Sequence, residues 1–291
     1  MQKPLIVVTG KNGQLGWELQ QLAPTLAADY DWLFVDADSL DLSKPDTIEA
    51  FFAPIQPAYF IHCAAYTAVD KAETEQALAY NINAVSVGEI AKQCAQKNCV
   101  LITISTDYVF DGNGTAPYKT NHPIQPVNYY GYTKKVSEEL ALANNPQTII
   151  IRTSWVYSSH GHNFVKTMLR LMNERTELKV IADQLGCPTY AADLASAIVQ
   201  VVQQTAQGNT HFGTYHYSNS GIISWHDFAT AIQQIANLSC QVLPITTAEY
   251  PTPAKRPAYS AMDTSDIATN FGVSLIPWRN SLEKCMHLLQ S

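Results

Sequence analysis

The sequence predicts an α/β fold: a Rossmann-like, doubly wound parallel sheet with a smaller C-terminal domain. Two features of the 291-residue chain predict it. Strand-like and helix-like segments alternate through the first half, and a glycine-rich turn directly follows the first strand. Such alternation is typical of parallel sheets whose right-handed crossover helices cover both faces.

The predicted strands are compact runs of branched apolar residues, as expected of strands that are buried on both faces. They cover residues 5–9, 32–36, 59–62, 100–105 and 148–153. The segments between them show the apolar spacing of helices. They cover residues 14–22, 45–52 with Ser43 as the N-cap, 77–97 and 130–143.

The alternation loosens after about residue 157, which predicts a second domain. We predict a first domain over residues 1–155 that regains a strand and a helix from about 190–218. Residues 156–291 form mainly the second domain, interleaved with the first. The elements expected there are a late strand of the main sheet at 215–218, a capped helix at 224–236 and an irregular Pro- and Thr-rich segment at 244–257.

Composition and charge exclude several classes of protein. With 46% hydrophobic and 15% charged residues, the chain has enough apolar material for a full core, so it is not disordered. The net charge of -7 argues against nucleic-acid binding, which needs a basic surface. No run approaches the roughly 18 apolar residues of a membrane span, so we expect no contact with a membrane.

The cysteines and the N-terminus indicate the cytoplasm. None of the six cysteines forms a Cys-x-x-Cys pair, and a chain of this length does not need disulfides, so we expect reduced thiols. The apolar run within residues 1–9 is too short for the core of a signal peptide. We therefore expect a cytoplasmic protein.

Gly10, Gly13 and Gly16 have the spacing of a dinucleotide-binding turn between a strand and a helix. Glycine at these positions permits a tight turn, lets the backbone approach a pyrophosphate, and lets helix and strand pack closely. The N–H groups at the start of the helix attract phosphate. The alternative is a glycine turn with a purely structural role.

Charged residues near this turn bear on which dinucleotide binds. Asp36 closes the second strand about 20 residues after Gly16, where an acidic side chain hydrogen-bonds adenosine ribose hydroxyls and favours NADH. Lys11 lies inside the turn and is placed to contact the 2′-phosphate of NADPH, while Asp41 and Leu42 are placed to frame the adenine. We predict NADPH or NADH as the cofactor; the alternative for Asp36 is a solvated loop carboxylate.

Tyr130 and Lys134 stand one turn apart on the same face of a predicted helix. A phenol with a pKa of about 10 is a poor acid or base near neutrality, and a neighbouring ammonium lowers that pKa. The same lysine is placed to hold the nicotinamide ribose, and the hydroxyl of Thr106 follows the fourth strand. Taken alone, such a pair is more often a surface tyrosine beside a lysine; the glycine turn and Thr106 favour acid–base catalysis.

Other catalytic motifs have little support in this sequence. The eight histidines show no metal-binding spacing, which argues against zinc. No Gly-x-Ser-x-Gly motif occurs, which weakens a hydrolase interpretation.

Taken together, these residues resemble the extended short-chain dehydrogenase/reductases, and within them the dTDP-4-dehydrorhamnose reductase family. The resemblance runs through nearly the whole chain, including the second domain, which in this family selects the sugar nucleotide. The segments that carry it are residues 10–19 (GKNGQLGWEL), 67–73 (TAVDKAE), 105–110 (STDYVF), 130–134 (YGYTK), 152–157 (RTSWVY), 163–168 (NFVKTM), 183–189 (DQLGCPT) and 250–257 (YPTPAKRP).

The resemblance implies reduction of the C4 carbonyl of dTDP-4-dehydro-L-rhamnose to dTDP-L-rhamnose, the last step of dTDP-rhamnose biosynthesis. It implies that Tyr130 is the catalytic acid, Lys134 its partner and Thr106 the hydroxyl that tunes the tyrosine. The candidate sugar-nucleotide contacts are Thr106, Asp107, Trp155 and Arg256. The candidate dinucleotide contacts are Gly10, Lys11, Gly13, Gln14, Leu15, Gly16, Asp36, Asp41, Leu42, Ala65, Tyr66, Thr67, Tyr130 and Lys134.

The resemblance also suggests a homodimer, because some family members form one that is bridged by Mg²⁺. Glu18 would be one ligand of that ion. A further acidic ligand expected near residues 188–189 is Ala192 in this chain, so we expect no metal and retain Glu18 as the one candidate. A second departure is His62-Cys63-Ala64, where the family usually has Asn-Ala-Ala.

Two alternatives stay open. The first is another nucleotide-sugar reductase, an epimerase or a dehydratase, all of which share the fold and the Tyr–Lys pair. Dehydratases typically carry an Asp-Glu pair after the threonine, whereas here Asp107 is followed by Tyr108. Epimerases regenerate their dinucleotide in each cycle, whereas a reductase consumes it. The second alternative is a non-catalytic regulatory subunit with this fold.

Overall fold

The computed structural model describes residues 3–290. Its strands are β1 (Leu5–Thr9), β2 (Asp31–Val35), β3 (Pro57–His62), β4 (Val100–Thr106), β5 (Thr148–Thr153), β6 (Val156–Tyr157), β7 (Glu177–Ile181), β8 (Leu185–Gly186), β9 (Thr189–Tyr190), β10 (Gly213–His216), β11 (Ile223–Ser224) and β12 (Gln241–Ile245). Its α-helices are α1 (Gln14–Leu22), α2 (Ile48–Phe52), α3 (Val69–Ala72), α4 (Gln76–Tyr80), α5 (Ser86–Gln96), α6 (Tyr129–Asn144), α7 (Phe164–Glu174), α8 (Ala191–Ala206), α9 (Trp225–Ile235), α10 (Ser265–Phe271) and α11 (Trp278–Gln290).

Six strands form one parallel sheet in the order β10-β5-β4-β3-β1-β2. The chain runs outward from β1 in both directions, first to β2 and then through β3, β4 and β5. At such a switch point the carboxyl ends of the strands open into a crevice that binds ligands. The predicted doubly wound parallel sheet is confirmed.

Apolar side chains bury both faces of this sheet. Ile6 and Val8 of β1 belong to a cluster that also takes in residues of α1, α8 and α10. Val7 points the other way and joins a cluster with residues of α2, α5 and α6. The short run of branched residues in β1 therefore packs on both sides, as its sequence predicts.

A second lobe is built from α7, α9, α11 and the parallel pair of β7 and β12. Its core includes Tyr157, Met168, Phe228 and Leu282. In contrast, β10 pairs with β5 in the main sheet, and α8 packs against α1. The boundary at residue 155 stays a prediction. None of the helices within residues 3–290 is long and apolar enough to span a membrane.

Most predicted elements agree with the structure to within two residues at each end. The capped helix at 224–236 is α9, whose N-cap Ser224 forms a capping box with Asp227. The strand expected at 215–218 is β10 at 213–216.

Three local predictions are wrong. Ser43 is not an N-cap, because its hydroxyl donates to Asp41 and a 3₁₀ turn begins at Pro45. The helix predicted at 77–97 contains a π-helical segment, Asn81–Val85, where the Asn83 side chain bonds both backbone polar groups of Tyr66. The segment 244–257 is not irregular throughout, since Pro244 lies in β12. This strand pairs only with β7, and such an edge strand tolerates the missing backbone N–H of proline.

Candidate active site

A cleft of about 950 Å³ lies at the carboxyl ends of the main strands. The residues that line it include Thr9 at the end of β1, Thr106 at the end of β4 and Thr153 at the end of β5. Gly161 and Trp225, from the segments around α7 and α9, close it from the second lobe. The cleft therefore has the position that the sheet topology predicts for a ligand site.

The glycine turn forms one wall of the cleft through Gly10 and Gly13. Gly10 has a φ of 73°, and a Cβ there would lie 2.9 Å from the Ala64 nitrogen. A Cβ on Gly16 would collide with the Gly10 carbonyl, so α1 packs on the turn only with glycine there. Gly13 caps α1 without any side-chain hydrogen bond, which leaves the first N–H groups of the helix for an anion.

The His62-Cys63-Ala64 segment is tied to β1 beneath this turn. The N–H groups of Cys63 and Ala64 donate to the Thr9 hydroxyl over 3.2 and 3.3 Å, and the His62 Nδ1 lies 2.9 Å from the same oxygen. Burial lowers the pKa of His62 to about 3, so its ring is neutral. Of these contacts, only the one from the His62 ring is specific to the departure from Asn-Ala-Ala.

Asp36 and Lys11 form an ion pair with 2.9 Å between Nζ and Oδ2. The hydrogen bond from Lys11 holds the pKa of Asp36 below its usual range, with a smaller contribution from Asn12. Asp36 lines the cleft, whereas Lys11 does not. The two residues predicted to select the dinucleotide thus contact each other.

Asp41, Leu42, Ala65 and Thr67 also line the cleft, as predicted. Hydrogen bonds from Ser43 lower the pKa of Asp41 to about 2, so this carboxylate is ionised. The side chain of Tyr66 does not line the cleft; its hydroxyl donates to Glu75 instead.

Tyr130 and Lys134 enter the cleft from the first turns of α6. The N-cap Asn128 accepts the N–H of Gly131, and the Glu73 carboxylate accepts that of Tyr129. A Cβ on Gly131 would collide with the Tyr108 carbonyl, so glycine permits the close approach of α6 to the end of β4. Hydrogen bonds to its first N–H groups and close packing against Tyr108 thereby fix the start of this helix.

Burial raises the pKa of Tyr130, Asp107 raises it further, and a hydrogen bond with Thr106 lowers it. The structure thus reverses the predicted direction, because desolvation of the phenol dominates this shift. Lys134 instead donates from Nζ to the Ile104 carbonyl over 2.7 Å. Burial lowers the pKa of Lys134 to about 8, while the Glu138 carboxylate acts in the opposite direction.

Thr106 and Asp107 lie beside Tyr130 in the cleft. The Thr106 hydroxyl donates to Asp107 Oδ1 over 2.9 Å and accepts the N–H of Tyr108. Asp107 Oδ2 is buried without a hydrogen-bond partner among the residues that the structure describes. Burial raises the pKa of Asp107 to about 6, against the hydrogen bond from Thr106, which lowers it.

Trp155 lines the cleft in a left-handed backbone conformation, with a φ of 48°. Its ring stacks on that of Trp225 with 3.6 Å between centroids and 13° between planes. A Cβ on Gly186 would lie 2.8 Å from the Trp155 ring, so glycine makes room for it. Trp155 therefore has a fixed orientation at the junction of the two lobes.

Four of the predicted dinucleotide and sugar-nucleotide contacts do not line the cleft: Lys11, Gly16, Tyr66 and Arg256. Arg256 forms a bidentate ion pair with Asp70. Glu18, the candidate metal ligand, is buried, accepts a hydrogen bond from Ser158, and has its pKa raised by burial. Within residues 3–290, no group of three or more metal-ligating side chains is present.

The sequence missed a loop of the second lobe that covers the glycine turn. The His160 Nε2 lies 3.1 Å from the Asn12 carbonyl oxygen, and its ring stacks on Trp17. Asn163 donates to the side chain of Gln14 over 2.9 Å, and His162 lines the cleft beside Gly161. Nothing local in the sequence predicts these contacts, because they join residues about 150 positions apart, as in the separation of 149 for Asn163 and Gln14.

Comparison with known proteins assigns the chain to a family. Residues 3–291 match the family model described as the RmlD substrate binding domain. A dTDP-4-dehydrorhamnose reductase of Aggregatibacter actinomycetemcomitans is 40% identical, with 96% of this chain and 97% of the relative covered.

Two crystal structures extend the match to three dimensions. A dTDP-4-dehydrorhamnose reductase of Clostridium acetobutylicum is 38% identical with a TM-score of 0.94, covering 99% of this chain and 100% of its own. That of Bacillus anthracis, in complex with NADP, is 39% identical with a TM-score of 0.92, covering 98% and 99%. The chain belongs to the dTDP-4-dehydrorhamnose reductase family.

Proposed function

We propose that the protein reduces the C4 carbonyl of dTDP-4-dehydro-L-rhamnose to dTDP-L-rhamnose with NADPH or NADH, the last step of dTDP-rhamnose biosynthesis. One observation carries the proposal: Thr106, Tyr130 and Lys134 line the same cleft as the glycine turn, in a chain of this family. The six free cysteines fit a cytoplasmic enzyme. Association into a homodimer stays a prediction.

The residues present fit a dinucleotide. Gly10 and Gly13 of the glycine turn line the cleft, and the start of α1 offers free N–H groups to a pyrophosphate. Asp36 lines the cleft and offers a carboxylate to ribose hydroxyls. Lys11 is paired with Asp36 outside the cleft lining, and we expect its charge to reach a 2′-phosphate only if that pair opens. When bound, the dinucleotide supplies the hydride that reduces the carbonyl.

Tyr130 supplies the proton. Charge develops on the C4 oxygen of the sugar during reduction, and a donor must neutralise it in the transition state. Burial keeps the phenol protonated, so the proton that it must donate is in place before the reaction. Thr106 hydrogen-bonds with Tyr130 and lowers its pKa, which limits the cost of the phenolate that remains.

Lys134 has two tasks in this proposal. With a pKa of about 8, Lys134 is mostly protonated at neutral pH, so its ammonium stabilises the phenolate after proton transfer. The ammonium donates one hydrogen bond to Ile104, and its two remaining N–H groups are available to ribose hydroxyls. Trp155 and Asp107 border the space for the sugar, and Arg256 neutralises part of the diphosphate.

The decisive variant is Tyr130→Phe, which removes one oxygen and leaves the ring. We expect kcat for nicotinamide oxidation with dTDP-4-dehydrorhamnose to fall by roughly 10²–10⁴-fold, with dinucleotide binding unchanged. Lys134→Ala is expected to weaken both turnover and dinucleotide binding.

Stoichiometry separates the alternatives. A reductase consumes one dinucleotide for each sugar, whereas an epimerase consumes none in net turnover. Near wild-type kcat in Tyr130→Phe, with both ligands bound normally, contradicts the assigned proton donor. Absence of any sugar-dependent oxidation in the wild type contradicts the proposed reaction.

A further inference from the structure

An ion pair joins the segment after the third main strand to the Pro-rich segment of the second lobe. Arg256 donates from Nη1 and Nη2 to the two carboxylate oxygens of Asp70, over 3.0 and 2.8 Å. The same carboxylate accepts the N–H of Ala254 over 3.0 Å, and Arg256 Nη1 also donates to the Ala254 carbonyl over 2.9 Å. Asp70 therefore fixes both the guanidinium and the backbone that carries it.

These bonds use one end of the guanidinium and leave one edge free. Of its five N–H groups, two on Nη1 and one on Nη2 have acceptors. The Nε–H and the second Nη2–H have none within residues 3–290. These two donors lie on the same edge, and this fork matches two oxygens of a phosphate group.

The ion pair lies close to the cleft. Tyr108 lines the cleft, and the charges of both Arg256 and Asp70 act on its hydroxyl. Its ring packs edge-on against Tyr130, with 5.8 Å between centroids. Asn128, the N-cap of α6, donates to the Lys255 carbonyl, which attaches the Pro-rich segment to the helix of Tyr130.

We propose that Asp70 is a positioning residue for the sugar nucleotide: it holds one end of Arg256 and keeps the Nε–Nη2 edge free for the diphosphate. This inference rests on the proposed function. A carboxylate that merely competed with the diphosphate for Arg256 would have the opposite effect on affinity. The sign of the change on removing the Asp70 charge therefore decides between the two.

The test is a double-mutant cycle read out by calorimetric titration with dTDP, which requires no turnover. Asp70→Asn keeps an acceptor for Ala254 but loses the charge and one arm of the fork, and we expect the Kd for dTDP to rise about 5–10-fold. Arg256→Ala is expected to raise it about 10–100-fold. The double variant is expected to match Arg256→Ala, because Asp70 acts through that side chain.

NADPH titration of the same variants is the matched readout, and its Kd is expected to stay unchanged. Glu283→Gln, which breaks an exposed pair with Arg279 on α11, is the control for a lost carboxylate and should leave both constants alone. Tighter or unchanged dTDP binding by Asp70→Asn overturns the inference. Additive effects in the double variant also overturn it, because a purely structural role does not depend on Arg256.

The base of the nucleotide is tested separately. UDP, GDP and CDP are titrated beside dTDP, and the cycle is run with the nucleotide that the wild type binds best. A preference for another base contradicts the proposed substrate but leaves the Asp70 test intact. Failure to bind all four overturns both proposals.

Discussion

Asp107 is a buried carboxylate whose second oxygen has no partner among the described residues. Burial raises its pKa to about 6, above the usual value of 3.8. Between these two pH values the folded protein binds more protons than the unfolded chain, so stability falls as pH rises. Above about pH 6 the carboxylate is charged in both states, and the full cost of burying it is present.

We therefore expect Asp107→Asn to gain stability relative to the wild type as pH rises from about 4 to about 7. The gain is about 1–3 kcal/mol in the free energy of unfolding, because each pKa unit corresponds to about 1.4 kcal/mol. Urea denaturation of both proteins across this range measures it.

Asp111→Asn is the matched control with the opposite sign. A hydrogen bond from Tyr118 and others lower the pKa of Asp111, so its contribution is present at neutral pH and lost in acid. A stability difference for Asp107→Asn that does not change with pH would contradict the assigned burial cost.

For individual residues, the sequence predicts a place in the site where the residue belongs to a local motif. Gly10 and Gly13 are identified by spacing, and Tyr130 and Lys134 by one helical turn. The sequence does not predict that Asp70 holds Arg256, since this contact spans 186 positions and depends on the packing of two lobes. It also gives the wrong direction for the pKa of Tyr130, because burial is a property of the whole fold.

The helix α6 carries Tyr130 and Lys134, and a buried ion pair anchors its middle to the sheet. The Arg152 side chain on β5 donates to both oxygens of Glu138, over 2.9 and 2.7 Å. The Ser105 hydroxyl of β4 also donates to Glu138. Neutral His216, whose pKa is lowered to about 3 by burial and by Arg152, lies 3.3 Å from the guanidinium.

We expect Glu138→Gln to lower the free energy of unfolding by about 3–5 kcal/mol, because it leaves the buried Arg152 charge without its counter-charge. Chemical denaturation measures the loss. Glu174→Gln removes a carboxylate from an exposed pair with Arg170 and is expected to cost less than about 1 kcal/mol. Equal losses in the two variants would show that the buried pair does not anchor α6.

The elements themselves are largely predictable from periodicity, and their exceptions have physical causes. The π-helical segment Asn81–Val85 interrupts a helix that the apolar spacing predicts as continuous. There the Asn83 side chain bonds the Tyr66 backbone and the hydroxyl of Thr133 on α6. Such segments frequently occur at functional sites, and the contacts that select them are again remote in sequence.

On the scale of the whole molecule, the main sheet depends on residues that come late in the chain. The strand β10 pairs with β5, and α8 covers α1. Leu194, Ile198 and Val201 of α8 are fully buried in the same cluster as Leu19 of α1. The strand β10 and the helix α8 thus complete the main sheet and its cover. The domain division at residue 155 stays a prediction, and we expect residues 1–155 not to fold as a unit without these two elements.

We expect a fragment of residues 1–155 to lack a cooperative unfolding transition. Each buried aliphatic side chain contributes about 1.5–3 kcal/mol, so loss of three removes much of the roughly 5–15 kcal/mol that stabilises a typical protein. Without β10, the apolar strand β5 also becomes an exposed edge that favours aggregation. Thermal unfolding followed by near-ultraviolet circular dichroism tests this.

The matched control joins residues 1–155 through a flexible linker to residues 190–218, which restores β10 and α8 and should recover soluble, cooperative folding. A sharp transition in the 1–155 fragment by itself would show that the main sheet is stable without its late elements.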